Sequence, residues 1–167
     1  VTRGSRRSSR AFGVIVVDAP TASDTRRFGR ALAGLTQPGD VILLSGPLGA
    51  GKTVLAAGMA EGLGVDEPLT SPSFVLARSY LEGFMPLYHA DLYRVGSSGE
   101  FEDLDLLEEA RAGVLVIEWG EMVASRITDS CLTVEIKGAG SEPRTISFFP
   151  SGSWLGRPIE PAIVVNL

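Results

Sequence analysis

Only two lysines stand against thirteen arginines in this chain, and one of the two, Lys52, sits in the stretch GPLGAGKT, residues 46–53. Gly46, Gly51, Lys52 and Thr53 fit the spacing G-x-x-x-x-G-K-[ST]. The chemistry served by that spacing is the grip on a polyphosphate. Backbone N–H groups must turn inward around phosphate oxygens, and glycine permits the positive φ values and close approach that this requires. A helix starting near Lys52 aims the positive end of its dipole at the same anion. The Lys52 ammonium covers the β- and γ-phosphates, and the Thr53 hydroxyl offers a ligand to Mg²⁺. A compact ammonium suits such a loop, whereas the planar fork of arginine suits another geometry. The run Gly46, Pro47, Leu48, Gly49, Ala50, Gly51, Lys52, Thr53 and Val54 is therefore the predicted nucleotide-binding segment.

Two acids extend this chemistry. A phosphate loop needs a carboxylate at the end of a neighbouring buried strand to hold Mg²⁺, directly or through water. Glu118 follows the apolar run Val114–Ile117 in VLVIEWGE and stands where that acid belongs. The competing reading is a surface acid at a strand end, and Glu121 is a weaker rival three residues on. In HADLYR, His89 and Asp91 are two apart on a strand-like run and share one face. An acid there can orient a water against the γ-phosphate, with Arg94 pairing with it or approaching the nucleotide. The alternative is a structural ion pair with His89 packed as a satisfied imidazole. The acids Glu100, Glu102, Asp103, Asp105, Glu108 and Glu109 read as a solvated face or a docking surface for a basic partner.

These residues need elements to position them. AFGVIVVDAP, residues 11–20, reads as a strand closed by proline. Thr21 or Ser23 caps a following helix that carries Phe28, Ala31, Leu32 and Leu35 at helical spacing and stops at Pro38-Gly39. DVILLSG, 40–46, suits a strand buried on both faces. KTVLAAGMAEGLG reads as a helix with Gly64 at its C-terminal cap. The spacing predicts a hairpin across 71–95, an acidic helix over 99–113, a buried strand at 114–121 and a second hairpin over 132–149. The residues after Phe149 show no clear pattern. The order implies an α/β, P-loop NTPase-like three-layer fold with a mixed, largely parallel central sheet and added hairpins. The predicted organisation is a basic, disordered tail at 1–10, one phosphate-loop domain at 11–150 and a C-terminal extension at 151–167.

Composition narrows the classes. The chain has 167 residues, enough for one domain with a real core. Its single cysteine, Cys131, rules out an internal disulfide and reads as a small buried strand residue. One histidine and one cysteine argue against zinc. No apolar run approaches the ~20 residues that span a membrane, and VTRGSRRSSR has no apolar segment behind it, so the expectation is a cytoplasmic protein. Net charge is −5, yet the first ten residues carry four arginines and no acid. The rest holds 11 basic and 20 acidic residues, a net −9, which argues against strong direct binding of nucleic acid.

SGPLGAGKT, TSPSF, HADLYR and VLVIEWGE, in this order and spacing, resemble the TsaE (YjeE) family over roughly residues 11–150. That resemblance implies a small bacterial P-loop ATPase needed for the threonylcarbamoyl group on the adenosine next to the anticodon of tRNAs. It implies ATP or ADP and Mg²⁺ at Gly46–Thr53, and a switch-like loop with Thr70, Ser71 and Phe74 near the γ-phosphate. It makes Asp91 the acid that activates or positions water and Glu118 the Walker-B acid and metal ligand with Thr53, Trp119 beside it. It implies TsaB and TsaD as protein partners, with TsaD performing the transfer, ATP hydrolysis resetting or activating their complex, and tRNA met only indirectly. Two departures stand out: Pro47 replaces the usual acid and removes one backbone N–H from the cradle, and Ser73 replaces the usual threonine. A GTPase is disfavoured because the only asparagine is Asn166, far from any N-K-x-D loop. A small-molecule kinase would carry a lid with several arginines, and the arginines here are scattered. A non-hydrolysing nucleotide-dependent adaptor remains the other alternative.

Overall fold

The computed structural model describes residues 13–72, 76–95, 98–103, 105–127 and 130–165. Residues 1–10 and Phe74 of the predicted switch loop lie outside the described residues. Seven strands form one sheet, in the order β1-β7-β6-β2-β5-β4-β3. They are β1 (Ile15–Ala19), β2 (Val41–Ser45), β3 (Ala77–Tyr80), β4 (Leu87–Asp91), β5 (Val114–Glu118), β6 (Leu132–Lys137) and β7 (Arg144–Pro150). The centre, β6-β2-β5-β4, is parallel. β3 adds antiparallel to β4 at one edge, while β7 and then β1 add antiparallel steps at the other. Both predicted hairpins are present as β3–β4 and β6–β7.

The central strands read as continuous apolar runs because they are covered on both faces. Ile42 and Leu44 of β2 and Val114 and Val116 of β5 pack with Phe28, Leu32, Leu55, Met59, Ile159 and Ile163. These come from α1 (Ala22–Ala33), α2 (Lys52–Gly62) and, further on, a helix over Ile159–Val165. Val41, Leu43, Leu115 and Ile117 point to the opposite side, against Phe101, Leu106, Ala110, Val123 and Ile127. The result is the three-layer arrangement.

Local chemistry sets the helix ends. Thr21, rather than Ser23, caps α1. Its Oγ1 accepts from the Asp24 N–H at 3.2 Å, and the Asp24 carboxylate accepts from the Thr21 N–H at 2.8 Å, a reciprocal capping box. Gly64 follows the last turn of α2 with φ +79°, and the Val65 N–H reaches back to the Ala60 carbonyl. α1 and α2 cross backbone to backbone at Gly29 and Gly58. A Cβ on Gly58 would stand 2.9 Å from the Arg26 carbonyl carbon and 3.1 Å from its Cα.

Two stretches differ from expectation. The helix predicted over 99–113 is broken into α3 (Ser98–Asp103), α4 (Leu106–Glu109) and a 3-10 turn at Ala110–Ala112. Asp105 has φ +50°, which an α-helix cannot accommodate, and the break lets both Phe101 and Leu106 reach the sheet. The patternless residues after Phe149 form a 3-10 turn at Gly152–Trp154 and α5 (Ile159–Val165). Trp154 is completely buried there. Arg157 lies over the Trp154 ring at 4.1 Å, donates to both Asp40 carboxylate oxygens and reaches the Leu35 carbonyl at 3.1 Å. Among the described residues no helix is long and apolar enough to cross a membrane.

Candidate functional site

The site lies at the carboxyl ends of the parallel strands, where loops of open α/β sheets collect ligands. Leu44, Glu118 and Asp91 stand in register across β2, β5 and β4, so both acids point to the face covered by α2. The loop from Gly46 to Gly51 leaves β2 beside them. Gly46 has φ +141°, and a Cβ there would collide with the Ile136 carbonyl oxygen of β6. Gly51, φ +107°, is the N-cap of α2 and supplies no capping side chain, so the first amides of that helix are left for an anion.

Lys52 is buried despite its charge. Its Nζ donates to the carbonyl oxygens of Gly46 at 2.6 Å and Pro47 at 3.0 Å, and lies 3.9 Å from the centroid of the Trp119 ring. Burial pushes its ammonium below the usual lysine range, while the charges of Glu118, Glu121 and Asp91 pull it back up. Pro47 therefore lacks an N–H but contributes a carbonyl that also accepts from the Ala50 N–H at 3.1 Å.

The Thr53 hydroxyl donates to Glu118 Oε1 at 2.7 Å. His89 Nε2 meets the same oxygen at 2.8 Å. His89, fully buried, thus serves Glu118 and not Asp91. The Asp91 carboxylate accepts from the Ser71 hydroxyl at 3.1 Å and from the Tyr93 N–H at 3.0 Å. Thr70 is tied to β3, its Oγ1 accepting from Arg78 at 2.6 Å and its N–H donating to the Tyr80 hydroxyl at 3.3 Å. Glu121 falls past Trp119, whose φ of +59° turns the chain out of the sheet, so it is exposed and off the strand. Val54 follows Thr53 in the first turn of α2, and Leu48 is 73% exposed at the loop tip.

A cleft of about 540 Å³ gathers these groups: Leu48 to Val54, Ser71, Asp91 and Glu118, together with Tyr93, Arg94 and Trp119. Thr53 and Glu118 place a hydroxyl against a carboxylate, hard oxygen donors of the kind Mg²⁺ takes while keeping other positions for waters and phosphates. The residues present fit that ion. Sequence reasoning passed over two participants. Tyr93, inside HADLYR, sets its ring 5.0 Å from that of Trp119 at a tilt of 39°. Arg144, at the start of β7, reaches the phosphate loop across 94 residues of chain, and nothing local marks it among thirteen arginines.

The sequence model of the family described as "Threonylcarbamoyl adenosine biosynthesis protein TsaE" matches residues 19–146. The chain belongs to the TsaE family. The family is one of tRNA threonylcarbamoyladenosine biosynthesis. The TsaE protein of Bacillus subtilis is 39% identical over 131 residues, covering 78% of this chain and 82% of its own length. That of Streptomyces coelicolor is 47% identical over 117 residues, with 68% and 79% covered. The crystal structure of YdiB from Bacillus subtilis superposes with a TM-score of 0.70 at 29% identity, covering 97% of both chains. The TsaE match spans the phosphate loop, both acids and Arg144, and stops before Trp154 and α5.

Proposed function

We propose that this chain is a slow, Mg²⁺-dependent ATPase of the threonylcarbamoyladenosine machinery, which binds ATP and ADP and resets or activates a TsaB–TsaD complex. The observation that carries it is the juxtaposition of the 46–53 loop, buried Lys52 and the Thr53–Glu118 pair at 2.7 Å. Loop amides and the α2 N-terminus bind the phosphates. On phosphate entry Lys52 exchanges the carbonyls of Gly46 and Pro47 for β- and γ-oxygens. Thr53 and Glu118 would hold Mg²⁺, which would supply charge neutralisation for the transferring phosphoryl group. Asp91, fixed by Ser71 and the Tyr93 amide, orients the attacking water. Because Ser71 belongs to the 70–74 loop, its bond to Asp91 is the route by which the γ-phosphate orders that loop and creates a partner surface. The base occupies a second hollow, of about 330 Å³, on the other flank of the loop between Pro20–Thr25 and the β6–β7 turn. The acidic body leaves the RNA to the protein partners.

Titration calorimetry of Lys52→Ala against the wild type is the test. Loss of ATP binding supports the reading, and equal binding by both proteins rejects it. Capture of purified TsaB–TsaD with an ATP analogue but not with ADP supports the partner assignment. Tight binding of bare tRNA without capture in any nucleotide state overturns it.

A further inference from the structure

Arg144 makes a set of contacts that the phosphate-binding chemistry does not by itself require. Its Nε donates to the Ala50 carbonyl at 2.8 Å and its Nη2 to the Gly49 carbonyl at 3.2 Å, both in the phosphate loop. The same Nη2 donates to the Gly140 carbonyl at 2.9 Å, and Nη1 donates to the Glu142 carbonyl, both in the β6–β7 turn. Its backbone pairs with Ala19, the last residue of β1, which leads straight into Pro20 and Thr21. The guanidinium therefore joins two of the segments that wall the second hollow, and the backbone of the same residue pairs with the strand that leads into the third.

We propose that Arg144 is a positioning residue that sets the conformation of the phosphate loop and couples it to the nucleobase hollow. This rests on the nucleotide reading above. The physics is the planarity of the peptide unit. A trans peptide holds its C=O and the following N–H on opposite sides. Drawing the Ala50 carbonyl towards Arg144 turns the Gly51 N–H away from it, to the flank on which the phosphate cleft lies. Gly49 and Gly51, at φ +78° and +107°, have no side-chain reason to hold that orientation, so an external anchor selects it. Charge-assisted bonds from a forked cation are strong enough to do so, and lysine lacks the planar fork that serves four carbonyls at once. Because the same fork grips Gly140 and Glu142, a base that orders the turn also orders the loop.

The test uses Arg144→Ala and Arg144→Lys with two readouts. The first is amide exchange without nucleotide. The expected result is faster exchange at 46–51 and at 138–143 together in both variants, with the remainder of the sheet unchanged. The second is nucleotide affinity and turnover. The expected result is roughly tenfold or greater weakening of ATP and ADP, the loss of more than one charge-assisted bond at 1.4 kcal/mol per decade, with KM raised by a larger factor than kcat is lowered. Tripolyphosphate, which has no base, should be weakened less than ATP. If Arg144→Ala does not fold, Arg144→Lys carries both readouts. Wild-type exchange in the loop and turn, or wild-type affinity in Arg144→Lys, overturns the inference. Failure of the wild type to bind any nucleotide overturns the functional reading instead, and the exchange result still decides the role of Arg144 in the loop.

Discussion

Replacing Gly58 with alanine should destabilise the protein, although alanine is the better helix former. Gly58 lies inside α2, where the swap by itself favours folding by about 1 kcal/mol. Against this, the new Cβ would press on the backbone of Arg26 in α1, 2.9 Å from its carbonyl carbon and closer still to the oxygen. No side-chain rotation relieves a clash with backbone. The helices must part, and Phe28, Leu32, Leu55 and Met59 between them and the sheet are already fully buried. Overpacking of a dense core costs about 1–3 kcal/mol, and a backbone collision belongs at the upper end. The net loss is about 2 kcal/mol. For a chain of this size that lowers the melting temperature by about 4–8 °C. Urea unfolding followed by circular dichroism should show a lower midpoint with an unchanged slope. Gly34→Ala is the internal control, since its φ is −65° and its Cβ would meet the Ala31 oxygen at 3.5 Å, an ordinary contact. A Gly58→Ala protein as stable as the wild type would refute the account of the α1–α2 crossing.

Other outcomes follow from the same geometry. Asp91→Asn should keep ATP binding within a few-fold, since its amide oxygen still accepts from the Tyr93 N–H and its NH2 can donate to the Ser71 hydroxyl oxygen, and should slow hydrolysis by about 10²–10⁴-fold; equal rates in single-turnover assays would return Asp91 to a structural role. Trp154→Ala should cost about 3–5 kcal/mol in chemical denaturation while leaving the affinity for ATP unchanged, because the ring is fully buried far from the phosphate loop; an effect under 1 kcal/mol would show that the C-terminal segment packs only loosely.

What the sequence discloses about this site follows from how its parts are linked along the chain. The phosphate loop is contiguous, and its function depends on backbone conformation that Gly46 and Gly51 announce directly. Glu118 and Asp91 are readable because each ends a short apolar run, yet their side-by-side placement depends on the β4–β5 register, which no single stretch encodes. His89 illustrates the limit. Its spacing from Asp91 gave the right face, but its partner is Glu118 on the next strand. Arg144 and Arg157 act across most of the chain, on the phosphate loop and on the Leu35–Asp40 connection, and no local pattern carries such contacts. The break at Asp105 is hard to read locally because Glu and Leu, good helix formers, flank it on both sides, while the burial of both Phe101 and Leu106 against the sheet is a tertiary demand.

The place of β1 at the sheet edge has a consequence for how the chain is made. Its sheet partner is β7, with Ala19 opposite Arg144, so about 125 residues must be translated between the two. At about 5–20 residues per second this takes several seconds to nearly half a minute. The central strands β2, β4 and β5 can pair once β5 has left the ribosome, and β6 can join β2 next. β1, made before the six other strands of the sheet, is therefore the last of them to gain its neighbour. Through that interval Ile15, Val16 and Val17 present an unpaired apolar edge of the kind that seeks other strands. The exposed charge of Asp18 is the one gatekeeper within it. A ribosome stalled before Arg144 would hold a nascent chain with neither the anchor of its phosphate loop nor a partner for β1, and that strand would stay available to any passing sheet.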